Sequence, residues 1–239
     1  MSGFGHPRRH LRLTDSTNER ARELAVAGAP SGTVVTADEQ SAGRGRHGRA
    51  WTAPPGKALL CSAVLGPLDS RHRLLPLAVP LAVADAAEAL APVSCQVKWP
   101  NDVWVERRKL AGVLIEARPP EWAVIGVGLN LAIEPDEFPA QLRWPATSLG
   151  HGATAEEAVT ALCAGLDRWV GAADREVLAA FRRRDALRGH RVDWEGSGDA
   201  GSGAGTAEGV DDDGDLIVVI EAGERLALGA GEVRLRLNG

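Results

Sequence analysis

Two adjacent prolines decide how the most distinctive stretch of this chain can fold. Residues 43 to 51 read GRGRHGRAW, and Gly43, Gly45 and Gly48 spell G-x-G-x-x-G, the spacing that opens the first helix of a dinucleotide-binding βαβ unit. Pro54 and Pro55 follow in AWTAPPG, and a helix cannot run through a pair that lacks N–H donors and clashes with the turn before it. A doubly wound dinucleotide fold is therefore rejected. What remains is a loop whose glycines bare the main chain while Arg44, Arg46 and Arg49 bring positive charge to the same place. That combination suits a polyphosphate; the competing reading is a solvated Arg/Gly surface loop.

Any anion site must be local, because the 239-residue chain carries a net charge of −5 and has no global pull toward nucleic acid. With 44% hydrophobic and 25% charged residues it can bury the core of one large domain, or of an ordinary domain with a small appendage. No apolar run approaches the roughly 18 residues that cross a bilayer, and MSGFGHPRRH lacks the apolar centre of a signal peptide. The expectation is a cytoplasmic protein with no membrane partner. Cys61, Cys95 and Cys163 are odd in number and far apart, with no histidine pairing nearby, which argues against disulfides and a zinc site. They read as small buried hydrophobes.

Local patterns give an α+β fold: a mixed, largely antiparallel sheet with helices packed against it. Ser16-Thr17-Asn18-Glu19 has the hydroxyl-to-Glu spacing of a capping box, so a helix is expected to begin near Ser16, and Thr154 to Glu157 repeats the pattern before VTALCAGLDRWV. Further helices are expected over 71–90, with Pro76 and Pro80 setting a start or kink, and over 176–187. Strands are expected at 32–37, 58–65, 96–99, 104–106, 110–116 and 123–131, mostly as consecutive hairpins. After Gly189 the texture changes to short strands broken by Gly and Asp, which predicts a small antiparallel barrel or sandwich and divides the chain into 1–187 and 188–239. From Leu187 onward five Lys/Arg stand against eleven Asp/Glu, so this part is a poor grip for nucleic acid. Within it GSGDAGSGAG (196–205) reads as a flexible spacer loop.

Chemistry concentrates in the helix start at 16–18, the Arg/Gly loop with Gln40, KWPNDV (98–103), KLAGVLIE (109–116) and GVGLN (126–130). Glycines inside strands point to something approaching the backbone at Gly112, Gly126 and Gly128, or to a neighbouring helix that needs room. Lys98 and Lys109, in mostly apolar segments, either snorkel to water or face a buried anion, and Asn101 and Asp102 after Pro100 can equally be turn formers.

As an ordered set, STN at 16–18, GRGRHGRAW, KWPNDV, KLAGVLIE and GVGLN closely resemble the biotin protein ligases, also called biotin–acetyl-CoA-carboxylase ligases, and the terminal EGVDDDGDLIVVIEAGE resembles their SH3-like C-terminal domain. The resemblance implies a class II aminoacyl-tRNA-synthetase-like catalytic domain and a two-step reaction. Biotin and ATP give biotinyl-5′-AMP and pyrophosphate, and a lysine of a biotin carboxyl carrier protein then displaces AMP. It assigns Ser16, Thr17, Asn18 and Gln40 to biotin, with main-chain help from Gly43 and Arg44 and room left by Gly112 and Gly128. Arg46 and Arg49 would meet phosphate oxygens, with Trp51, Lys98, Asn101 and Asn130 on the ATP side. Lys109 would bridge biotin's carboxylate and the α-phosphate, and Asp102 would orient the incoming amine, so Lys109, Arg46, Arg49 and Asp102 form the implied catalytic set. Mg²⁺ is expected on the triphosphate with no protein ligand named. Only fifteen residues precede the STN motif here, which supports no DNA-binding repressor role; a monomer or weak homodimer is expected. Lipoate or octanoate transfer on the same fold is the enzymatic rival, and an Arg/Gly-loop nucleic-acid-binding module is the rival from another class.

Overall fold

The computed structural model describes residues 3–142, 144–150, 152–196, 201–230 and 233–237. In chain order its first part runs β1 (Arg8–Thr14), α1 (Thr17–Val26), β2 (Val34–Gln40), β3 (Ala58–Leu65), α2 (Leu75–Leu90), β4 (Gln96–Lys98), β5 (Asp102–Val105), β6 (Arg108–Arg118), β7 (Trp122–Asn130), α3 (Ala155–Trp169) and α4 (Asp174–Arg184). The strands form one sheet in the order β1-β2-β3-β7-β6-β5-β4. Only β1 and β2 pair in parallel; the other neighbours are antiparallel, and β4 to β7 follow one another as the expected hairpins.

Every residue of β3 is buried, because this central strand is covered on both faces. Leu59, Cys61 and Ala63 join the main core with Leu77, Leu81 and Leu162 from α2 and α3. On the opposite face Val64 meets Ala21 and Ala25 of α1 in a small second cluster. Helix α1 covers only part of this face, and the remainder is open for a site. Pro76 sits in the first turn of α2, where a missing N–H costs nothing, while Pro80 lies inside a helix that continues past it.

The C-terminal strands β8 (Arg191–Gly196), β9 (Ser202–Val210), β10 (Leu216–Val219), β11 (Arg225–Leu228) and β12 (Val233–Leu237) form an antiparallel sheet in the order β11-β10-β9-β8-β12. Its ladders do not close into a ring among the described residues. The expected spacer loop at 196–205 needs correction: Ser202 onward is strand, and a side chain on Gly205 would come within 2.5 Å of the Val219 carbonyl oxygen. Residues 197–200 of that segment lie outside the described residues. The two sheets share one core, in which Val192, Trp194, Leu216 and Val218 pack with Leu77, Phe181 and Leu187. Trp99 Nε1 also donates to the Gly214 carbonyl at 3.0 Å, tying the KWPNDV turn to the second sheet.

Candidate active site

Strand register builds the floor of the site. Leu60, Gly128, Gly112 and Asp102 stand in one transverse row across β3, β7, β6 and β5, and Ser62, Gly126 and Leu114 form the row beside it. The glycines leave a depression in the sheet into which two side chains descend. A Cβ on Gly126 would lie 2.0 Å from Asn18 Oδ1, and one on Gly128 would lie 2.3 Å from the Trp51 indole. Gly112 is similarly covered by Trp51, at 3.0 Å. The close approach inferred from strand glycines is real, and protein side chains make it.

Above this floor is a cavity of about 370 Å³, within the range of small-molecule sites. One end is polar and neutral. Ser16, Thr17 and Asn18 are each only 4% exposed at the start of α1. Thr17 donates through its N–H and its hydroxyl to Gln40 Oε1 at 2.7 and 3.0 Å. Ser16 occupies the expected N-cap position but makes no side-chain cap bond, so its hydroxyl is left to the cavity it lines. Asn18 also lines the cavity, yet its amide is taken: Nδ2 donates to Glu116 Oε2 at 2.7 Å and its Oδ1 accepts from Ser62 at 2.6 Å.

The other end is charged. Lys109 Nζ lies 2.7 Å from Asp102 Oδ1 and 5.4 Å from the centre of the Trp51 ring. That approach is not aligned as a hydrogen bond, so Asp102 Oδ1 remains without one. Arg46 donates to the Ala230 carbonyl of the C-terminal sheet and, at 3.4 Å, to Asn101 Oδ1. Burial, then the neighbouring Arg49 charge, lowers its pKa against a smaller opposite pull from Asp102. An arginine stays protonated regardless, so this is a partly desolvated cation that an anion would stabilise. Arg49, also on the cavity, donates to the Arg46 carbonyl at 3.1 Å.

Several expected residues stand elsewhere or act differently. The Arg44 guanidinium turns to Glu19 at 2.7 Å, leaving its main chain toward the site. The hydrogen bond from Arg22, followed by Arg44, holds the Glu19 carboxyl below its usual range. Gly43 does not line the cavity; a Cβ there would meet the Trp51 carbonyl oxygen at 2.4 Å, so it permits the loop to fold on itself. Lys98 is buried outside the cavity, its ammonium 5.7 Å from the Trp104 ring and 5.2 Å from that of Trp144. Asn130 lines the cavity and donates to the Thr147 carbonyl at 2.9 Å.

Sequence reasoning missed the segment that closes this side. Lys109 N donates to the Pro145 carbonyl at 2.7 Å and Thr147 N to the Lys109 carbonyl at 2.9 Å, so Phe138, Leu142 and Trp144 become a wall. Ser62 and Glu116 were missed too; the one hydroxyl inside the otherwise apolar β3 was the available signal.

No cysteine lines the cavity. Burial pushes the thiols up, to about 12 at Cys95 and about 11 at Cys163, and Cys61 rises as well, which disfavours the reactive thiolate. Among the described residues no group of three His, Cys, Asp or Glu side chains could hold a metal. The arrangement suits a ligand with a neutral hydrogen-bonding head and an acidic tail, joined at its cationic end by phosphate.

Comparison with known proteins agrees with this geometry. Residues 10–130 match the model of the biotin/lipoate A/B protein ligase family. A biotin--[acetyl-CoA-carboxylase] ligase of Mycobacterium tuberculosis is 34% identical over 235 residues, covering 92% of this chain and 85% of the relative. A bifunctional ligase/repressor of Bacillus subtilis is 38% identical over 148 residues, spanning 59% of this chain but only 45% of that protein. The solved biotin protein ligase of Aquifex aeolicus in complex with biotin and ATP superposes with a TM-score of 0.81 at 26% identity, covering 98% of this chain and all of the other.

Proposed function

Because the chain belongs to the biotin/lipoate A/B protein ligase family, we propose that it activates biotin with ATP and transfers it to a lysine of a biotin carboxyl carrier protein. One observation carries the reading: Arg46, Arg49 and Lys109 face the same cavity as Ser16, Thr17 and Gln40. The polar end takes the ureido ring, and the cationic end takes the carboxylate and the phosphates.

In the first step a carboxylate oxygen of biotin attacks the α-phosphorus, and pyrophosphate leaves as the P–O bond to the β-phosphate breaks. Both reactants are anions, so the work of the site is to hold them together and neutralise charge that builds on the phosphate oxygens. Lys109 is the bridging cation, with Arg46 and Arg49 on the phosphates. In the second step a carrier lysine, as free amine, attacks the acyl carbon and AMP departs. Asp102, whose Oδ1 lacks a hydrogen bond, orients that amine. No protein nucleophile is required.

Mg²⁺ fits only as a companion of the triphosphate, held through phosphate oxygens and water, because Asp102 is the one carboxylate on the cavity and it lies against Lys109. Bound there, it would offset phosphate charge. A dithiolane would leave the Thr17 and Gln40 groups unpaired, which disfavours lipoate, and the buried cysteines disfavour acyl-cysteine transfer. Arg44, tied to Glu19, and Arg46, partly buried, are poorly disposed to grip nucleic acid. The test is pyrophosphate release with biotin or lipoate as the acid: release with biotin supports the reading, and preference for lipoate overturns it.

A further inference from the structure

Ser62 is fully buried beneath the neutral end of the cavity, outside its lining, and its hydroxyl touches two residues of the helix start. It lies 2.8 Å from Thr17 Oγ1 and 2.6 Å from Asn18 Oδ1. The direction of each proton in this cluster follows from what each partner can accept. Asn18 Nδ2 faces the Glu116 carboxylate at 2.7 Å and the Leu114 carbonyl at 3.4 Å, both of which only accept. Asn18 therefore points its oxygen at Ser62, and the single Ser62 proton is committed to that oxygen. The only proton left for the Ser62–Thr17 contact belongs to Thr17. Its alternative acceptor is Gln40 Oε1, also within the protein. Whichever of the two takes it, Thr17 offers a ligand lone pairs and no proton. Gln40, whose Oε1 already accepts from Thr17 N, has its Nε2 left to donate.

We infer that Ser62 is a specificity-determining positioning residue: through Asn18 and Glu116 it fixes the Thr17 hydroxyl as an acceptor, so that the site selects a ring N–H at that point. The inference rests on the biotin-binding reading above and adds to it the origin of the site's polarity. Gly126 belongs to the same device, because only a residue without Cβ admits the Asn18 amide that commits the Ser62 proton. If Ser62 is removed, Asn18 Oδ1 loses its donor and Thr17 loses its nearer acceptor. The Thr17 hydroxyl is then able to turn its proton to the ligand.

Calorimetric binding of biotin and of two cyclic carbamate analogues, each with one ring N–H replaced by oxygen, tests this on the full chain. The parental protein should prefer biotin over the analogue altered at the Thr17 contact by about a hundredfold or more. Ser62→Ala should narrow that preference about tenfold. Ser62→Cys, nearly isosteric but a weak donor, should narrow it as well, and it stands in if the alanine variant does not fold. Ser62→Thr, which keeps the hydroxyl, should restore the parental preference. An unchanged preference in the Ala or Cys variant, with biotin still bound, overturns the inference alone. Failure of the parental protein to bind biotin overturns the functional reading and this inference with it.

Discussion

Substituting Gly126 by alanine tests whether the glycine floor exists to seat the helix start. The new Cβ would lie 2.0 Å from Asn18 Oδ1 and 2.8 Å from its Cγ, far inside contact distance. The amide must move, and the hydrogen bonds to Ser62 and Glu116 at 2.6 and 2.7 Å go with it. Overpacking a full site costs about 1–3 kcal/mol, and each buried polar group left unpaired about 1–3 kcal/mol more, so Gly126→Ala should destabilise by about 3–6 kcal/mol. Urea unfolding reads this as a lower midpoint at unchanged slope. Asn18→Ala removes the obstructing amide, so the double variant should be less damaged than the sum of the two singles by about 1–3 kcal/mol. Additivity within about 0.5 kcal/mol, or a Gly126→Ala variant as stable as the parent, would refute the reasoning.

Three further outcomes are expected. Lys109→Ala should slow adenylate formation about 100- to 1,000-fold in single-turnover pyrophosphate release while changing biotin affinity far less; parental rates would remove Lys109 from the chemistry. The Cys95→Ala/Cys163→Ala variant should keep carrier biotinylation within about twofold, since buried thiols with raised pKa values are poor nucleophiles, and loss of transfer in a folded variant would revive an acyl-cysteine route. Burial raises the Asp185 pKa in the folded state, so its ionisation costs stability as pH rises from the unfolded value through the folded one. Asp185→Asn should therefore gain stability relative to the parent across that rise; a difference independent of pH, followed by thermal unfolding, would contradict the assignment.

The strands of the meander were legible because apolar segments alternate with clear turn signals, and β3, β6 and β7 lie where those patterns put them, with edges shifted by a residue or two. Strand β1 was not. Its sequence RRHLRLT is charged, and as an edge strand with six of its seven residues not buried it has no apolar face to announce it. Ser16 marked the start of α1 correctly for a reason the structure does not use, since its hydroxyl caps nothing. The cationic cluster was readable as glycine and arginine chemistry. The Ala230 carbonyl on Arg46 was not, because it arrives from 184 residues away and a backbone atom leaves no mark in sequence. Asn18 and Lys98 carry a similar lesson. Both sit inside motifs, yet neighbouring side chains occupy the Asn18 amide and two indoles flank the Lys98 ammonium.

The central claim is that one cavity holds a ureido ring at its neutral end and joins the acid tail to adenosine monophosphate at its cationic end. Incubating the protein with ATP, Mg²⁺, biotin and a biotin carboxyl carrier domain, and weighing the carrier by intact-mass spectrometry, tests it most directly. The account predicts the mass of one biotinyl group on a single lysine, dependent on ATP. No gain in mass, or a gain with lipoate in place of biotin, would contradict it.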